Sequence, residues 1–215
     1  MKKIKTLSLI SILLMIAFSL SAFLKLEVNG EPLTLTSITL LIGIIVFFIT
    51  REPEDKDVMS LKAVPKLLKD KITILLVIIP TLADILCFTL AKYILPEFLE
   101  HISDRTDFLA FDKFLILLVE LIVAALGEEI AWRGFFQPQL SKLLPFGVSL
   151  MIMSVLFAIC HMTTGSVIVI LYDMLFIVIN AIIYGLVYKR THNIPISTLS
   201  HFIANLSGVL ILLVI

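Results

Sequence analysis

Three short groups of polar residues interrupt long apolar stretches in the second half of this 215-residue chain. They are Glu128-Glu129 with Arg133, then His161, then His201 with Asn205. An ionisable side chain inside an apolar helix costs several kcal/mol unless it is paired or faces a wet cavity, so each is a candidate for chemistry. Glu129 and Arg133 have the i,i+4 spacing of an ion pair on one helical face. That pairing leaves Glu128 unmatched on a different face, where a lone carboxyl is a candidate general base. His161 is the group it can meet. The two residues lie equally far on either side of a turn centred between Leu144 and Pro145, so regular antiparallel helices bring them to one level. Pro138 loosens that match by about one helical turn. His201 and Asn205 also stand at i,i+4 and project from one face, where both can donate hydrogen bonds. The distance of His201 from Pro195 and that of Glu128 from Phe136 are similar, about 9 and 12 Å of helix. The four side chains are therefore expected to line one cavity, open at the end of the bundle where Pro195 and Phe136 lie.

The remaining intramembrane polar groups have plainer explanations. Asp84, Asp173 and Asn180 are isolated in sequence and are expected to make interhelical hydrogen bonds. Lys92 and Glu120 fall near the ends of apolar runs, where snorkelling or a mutual ion pair accounts for them. Cys160 adjoins His161, but neighbouring helical positions point about 100° apart, so a thiol–imidazole dyad is geometrically poor. A buried, inert thiol is expected instead.

The elements that must hold these groups follow from composition. The chain is 60% hydrophobic and 16% charged, against about 45–50% and 25% in soluble domains. Seventeen basic and seventeen acidic residues cancel, which argues against nucleic acid as a partner. Two cysteines inside apolar runs offer neither a disulfide framework nor metal-type spacing. Seven runs approach the roughly 17–25 residues that cross a bilayer as helix: 6–24, 33–50, 72–95, 114–136, 146–162, 166–188 and 194–215. They lack strict two-residue alternation, which excludes a β-barrel. The fold expected is all-α: a polytopic membrane helical bundle of about seven helices. The first run is too long for the apolar centre of a signal peptide.

Alternate connections divide the basic residues thirteen to four, with Lys2, Lys3, Lys5, Arg51, Lys56, Lys62, Lys66, Lys69, Lys71, Arg133, Lys142, Lys189 and Arg190 on one side. Lys25, Lys92, Arg105 and Lys113 fall on the other, which puts the N-terminus in the cytoplasm and the C-terminus outside a cell membrane. The catalytic cavity would then open to the cytoplasm. Residues 58–71 mix leucines with lysines, as does a helix lying on the inner leaflet in contact with anionic lipids. Residues 96–112 interleave Phe98, Phe108 and Phe111 with acids and are expected at the outer interface.

Glu-Glu-x-x-x-Arg at 128–133, Phe-x-x-x-His at 157–161 and His-x-x-x-Asn at 201–205 resemble the signature motifs of the CPBP family. That family comprises the type II CAAX prenyl endopeptidases and bacterial proteins of bacteriocin processing or self-immunity, also called Abi. The resemblance covers about residues 110–215, dividing the chain into N-terminal transmembrane helices (1–109) and a catalytic core (110–215). It implies an intramembrane bundle, commonly of eight helices, that hydrolyses a peptide bond in a membrane-associated peptide or protein. By motif, Glu128 takes the place of the catalytic glutamate, with His161 helping it to orient and deprotonate water. His201 and Asn205 take that of the oxyanion site, and Glu129, Arg133 and Phe157 are supporting. The reaction so implied uses no cofactor. A zinc-dependent variant built on His161, His201 and Glu128 is the first alternative, although Asn205 is a poor zinc ligand and no His-Glu-x-x-His helix is present. A non-catalytic scaffold or immunity protein of the same fold is the second. A transporter is the third, weakened by the absence of repeat symmetry. Compactness and an Ile/Lys-rich composition point to a bacterial source.

Overall fold

The computed structural model describes residues 5–24, 27–28, 31–32, 35–51, 57–106, 109 and 113–214. Lys2, Lys3, Lys25 and Lys56 of the charge count lie outside the described residues, as do Phe108, Phe111, the first two residues of run 33–50 and the last of run 194–215. All seven apolar runs are helical. The chain begins with α1 (Thr6–Leu20), prolonged by a 3₁₀ turn over Ser21–Leu24. A two-residue pair of antiparallel strands, β1 (Glu27–Val28) and β2 (Glu31–Pro32), leads to α2 (Thr36–Thr50). After α3 (Val64–Leu67) come α4 (Lys71–Ile94), α5 (Glu97–Thr106) and α6 (Phe114–Glu129). A π-helical stretch, Ile130–Phe136, continues α6 into α7 (Gln137–Leu140), and α8 (Phe146–Cys160), α9 (Val167–Thr191) and α10 (Ile194–Leu212) follow. Among the described residues, four helical segments are long and apolar enough to cross a bilayer: Thr6–Leu24, Lys71–Ile94, Val167–Thr191 and Ile194–Leu212. Thr36–Thr50 and Phe146–Cys160 are apolar but shorter. The chain is a helical membrane protein.

Caps fix the basic end of the bundle. Asp70 precedes α4 and accepts from the Thr73 N–H and hydroxyl, satisfying one of the donors a helix start leaves free. The Arg190 guanidinium donates to the same carboxyl at 2.7 Å, and with Thr73 it holds Asp70 well below the usual carboxylate range. Asn193 caps α10 through the Ile196 N–H, while its amide donates to the carbonyls of Asp57 and Ser60. His192, at φ 47°, supplies the left-handed residue that lets α9 turn directly into α10.

Packing forms two main bodies. In one, α1, α2, α8 and the π stretch bury Met15, Phe47, Trp132, Phe136 and Met153. In the other, α4 packs on α9 and α10 through Val77, Ile183, Val187 and Ile196. In the segment expected at the outer interface, Phe98 and Ile102, one turn apart on α5, are buried beside Phe88 and Tyr172. Residues 58–71 form no continuous surface helix. They break into a 3₁₀ turn and the four-residue α3, with Leu67 and Leu68 tucked against the α4–α9–α10 body and Leu61 exposed.

α2 and the π stretch approach backbone to backbone at Gly43. A Cβ on Gly43 would sit 2.6 Å from Ala131 Cβ and 2.8 Å from its Cα. Backbone there cannot yield as a flexible side chain would. G43A is expected to cost about 1–3 kcal/mol by overpacking, read as a lower midpoint of thermal unfolding in detergent. An unchanged midpoint would contradict this contact.

Candidate active site

The site is built where α6 gives way to the π stretch. A π-helical turn widens the backbone by one residue and is frequent at functional positions. Here it follows Glu128 and Glu129 and carries Trp132, Arg133, Phe135 and Phe136 into the interior. Glu129 and Arg133 are both 0% exposed, and Arg133 Nη1 donates to Glu129 Oε1 at 2.9 Å. Arg133 Nη2 donates to the Ala181 carbonyl on α9, and the guanidinium lies over the rings of Phe157 (4.7 Å) and Tyr184 (5.3 Å). A buried charge demands this degree of compensation. The i,i+4 pair expected from spacing is thus present, and Arg133 belongs to the interior rather than to the basic face.

Glu129 has further partners. It accepts from Ser197 Oγ and lies 3.0 Å from His201 Nδ1. A carboxylate that already accepts from Arg133 can only accept, which assigns the His201 proton to Nδ1 and turns Nε2 toward Glu128 Oε2, 3.7 Å away. Tyr184 stacks on the other side of the His201 ring at 4.5 Å. His161 is held by the same logic through a different device. It is the residue at which α8 ends, and its Nδ1 faces the Phe157 carbonyl at 2.8 Å, one of the acceptors left free at a helix C-terminus. A carbonyl cannot donate, so the proton is on Nδ1 and Nε2 faces Glu128 Oε1 at 3.8 Å. Glu128 is therefore not unmatched, because two imidazole nitrogens face its two oxygens. At these separations there is no direct hydrogen bond, and one water can contact a carboxyl oxygen and an Nε2 together. Phe157 stands between the two rings, 4.6 Å from His161 and 6.0 Å from His201 by centroid.

Glu128, His161, His201 and Asn205 line one cavity of about 360 Å³. Its direction differs from the expectation. The lining passes Glu120, Arg105 and Leu212, toward the end of the bundle opposite Asp70 and Arg190. The Pro195 and Phe136 end is closed instead by Trp132, Phe135, Phe136 and the buried first turns of α10. Trp132, Phe135 and Phe136 pack one end, while at the other Ala124, Ala204 and Gly208 leave room among Phe88, Phe98 and Phe176.

The interhelical reading of the isolated polar groups holds. Asn180 Nδ2 donates to Asp84 Oδ1 at 2.6 Å, and Asp173 accepts from Arg105 of α5 with His101 nearby at 3.8 Å. Cys160 turns away from His161 and donates to Ser19 on α1. Among the described residues, no group of three or more His, Cys, Asp or Glu is arranged to hold a metal ion. Sequence reasoning missed Ser197 and Tyr184. Ser197 carried a signal, because it extends the i,i+4 stripe of His201 and Asn205 by one turn; Tyr184, on another helix, carried none.

Removing Arg133 alone strands a buried carboxylate. R133M is expected to destabilise by about 3–5 kcal/mol, and the double variant E129L/R133M by less than the sum of its singles. Unfolding of the detergent-extracted proteins checks this, and simple additivity would show that the two are not coupled.

No curated protein and no solved structure matches the chain. Residues 110–207, which hold every member of the Glu128–His161–His201–Asn205 group, match the family model described as type II CAAX prenyl endopeptidase Rce1-like.

Proposed function

We propose that the chain is a glutamate-dependent intramembrane endopeptidase acting on a short membrane-associated peptide or protein. The observation that carries this reading is the approach of two imidazole Nε2 atoms to the two oxygens of one carboxyl, inside a cavity. A water between Glu128 and His161 loses a proton to the carboxylate and attacks the scissile carbonyl carbon. The developing oxyanion takes hydrogen bonds from the Asn205 amide and from His201. With its Nδ1–H engaged by Glu129, His201 donates to the oxyanion through Nε2–H, so this step uses the doubly protonated ring, held beside the Glu129 carboxylate. Collapse breaks the C–N bond, and Glu128 returns its proton to the leaving amine. Glu129, Arg133 and Phe157 hold the rings.

The reaction so written needs no metal. Residues 110–215 form its catalytic core, with α4 and α5 of the N-terminal region supplying part of the cavity wall. The seven apolar helices cross a bacterial cell membrane with the basic end cytoplasmic, the N-terminus inside and the C-terminus outside. The cavity then lies in the outer half of the bilayer, and substrate reaches it from that side.

E128Q and H161A are each expected to lower cleavage by about 10²–10⁴-fold, and N205A by about 10²-fold with little change in KM. Comparing peptides from membranes of cells carrying wild type and E128Q provides the substrate for that assay. Wild-type cleavage by E128Q would overturn the proposal. Activity is expected to survive exhaustive chelation; loss that zinc alone restores would favour the His₂Glu metal variant.

A further inference from the structure

The cavity contains a polar feature that the peptide-bond chemistry does not use. Asp84 on α4 and Asn180 on α9 face it together, among Phe88, Phe98, Phe176 and Val209. Asn180 spends an amide proton on Asp84 Oδ1, and its own carbonyl oxygen is buried with no hydrogen-bond partner among the described residues. Gln137 also leaves its amide oxygen buried and unpaired, but Asn180, unlike Gln137, lines the cavity that holds Glu128. What remains is an acceptor surface: a carboxyl group with lone pairs to spare, beside an amide oxygen with both free. The wall also carries Glu120, Glu128 and the two histidines, while Arg105 and Asp173 pair with each other.

We propose that Asp84 and Asn180 form a recognition subsite for a cationic hydrogen-bond donor, an ammonium or guanidinium on the substrate, set in the apolar wall beside Glu128. It rests on the endopeptidase reading only for the identity of the substrate as a peptide, and it makes a lysine- or arginine-bearing membrane peptide the preferred class. A peptide presenting a carboxylate there meets an acceptor surface. Charge-assisted hydrogen bonds of this kind are worth about 1.5–3 kcal/mol each, or roughly tenfold or more in affinity.

The test has two arms. In the first, the purified protein in neutral maltoside is titrated with n-decylammonium and with n-decanoate, and binding is read as the shift in thermal unfolding. The wild type is expected to bind the ammonium about tenfold more tightly, and D84N to lose most of that advantage. Equal binding of the two amphiphiles by wild type, or an undiminished preference in D84N, would overturn the subsite. In the second arm, membrane peptides differing only by Lys, Leu or Glu beside the scissile bond are offered to wild type, D84N and E128Q. The Lys peptide is expected to have the lowest KM, with the advantage lost in D84N and every peptide spared by E128Q. Cleavage without a Lys preference would overturn the subsite and leave the peptidase reading intact. Decylammonium binding that depends on Asp84, with no peptide cut by wild type, would do the reverse.

Discussion

A guanidinium with no access to solvent has to be neutralised where it stands, and the rest of the site is arranged around that requirement. Arg133 receives one carboxylate, one backbone carbonyl and two aromatic faces, from its own helix, α8 and α9. Glu129, recruited as the counter-charge, becomes the acceptor that orients His201 and takes up Ser197. One buried charge thereby ties the π stretch, α8, α9 and α10 together through groups that cannot rotate freely. The adjacent Glu128 inherits a fixed backbone without taking part in the pairing, and its oxygens stay turned toward the cavity.

The second histidine is positioned by an ending rather than by a pairing. Helix termini inside a bilayer are tolerated only where they are buried in protein or line a cavity, because their carbonyls need donors. α8 stops at Cys160, and the ring of the next residue supplies one of those donors to Phe157. That ring bond, with the backbone bonds from the His161 N–H to Ala158 and the Met162 N–H to Ile159, closes the helix and holds the imidazole still. His161 and His201 are thus held by unlike acceptors, a carbonyl and a carboxylate, yet both present Nε2 to the same carboxyl.

What the sequence discloses about this arrangement follows from range. Glu129–Arg133 is a local pair, and the i,i+4 rule finds it. The meeting of Glu128 with His161 needs only a turn position and a constant helical rise, and it survives the π stretch because a one-residue insertion is smaller than the tolerance set by Pro138. The seven apolar runs convert directly into helices, since apolar length is a bulk property. The cavity's direction is different in kind: it depends on how Trp132, Phe135 and Phe136 pack at one end and how Ala124, Ala204 and Gly208, on neighbouring helices, leave room among the rings at the other. No single-helix pattern adds those up. The same limit applies to α5, where Phe98 and Ile102 have the spacing of a buried face but the partners Phe88 and Tyr172 come from α4 and α9. The π stretch leaves no mark in composition at all.

The fifteen residues each of α2 and α8 carry a mechanical consequence. At about 1.5 Å per residue they reach some 22 Å, against roughly 30 Å of hydrocarbon in a typical bilayer. Such hydrophobic mismatch is relieved by thinning of the surrounding lipid or by drawing headgroups inward, at a fraction of a kcal/mol per Å. α8 is one of these short helices, and it ends at the site. In a bilayer of that thickness, a spanning α8 would draw the headgroup layer toward the end of the helix that carries His161.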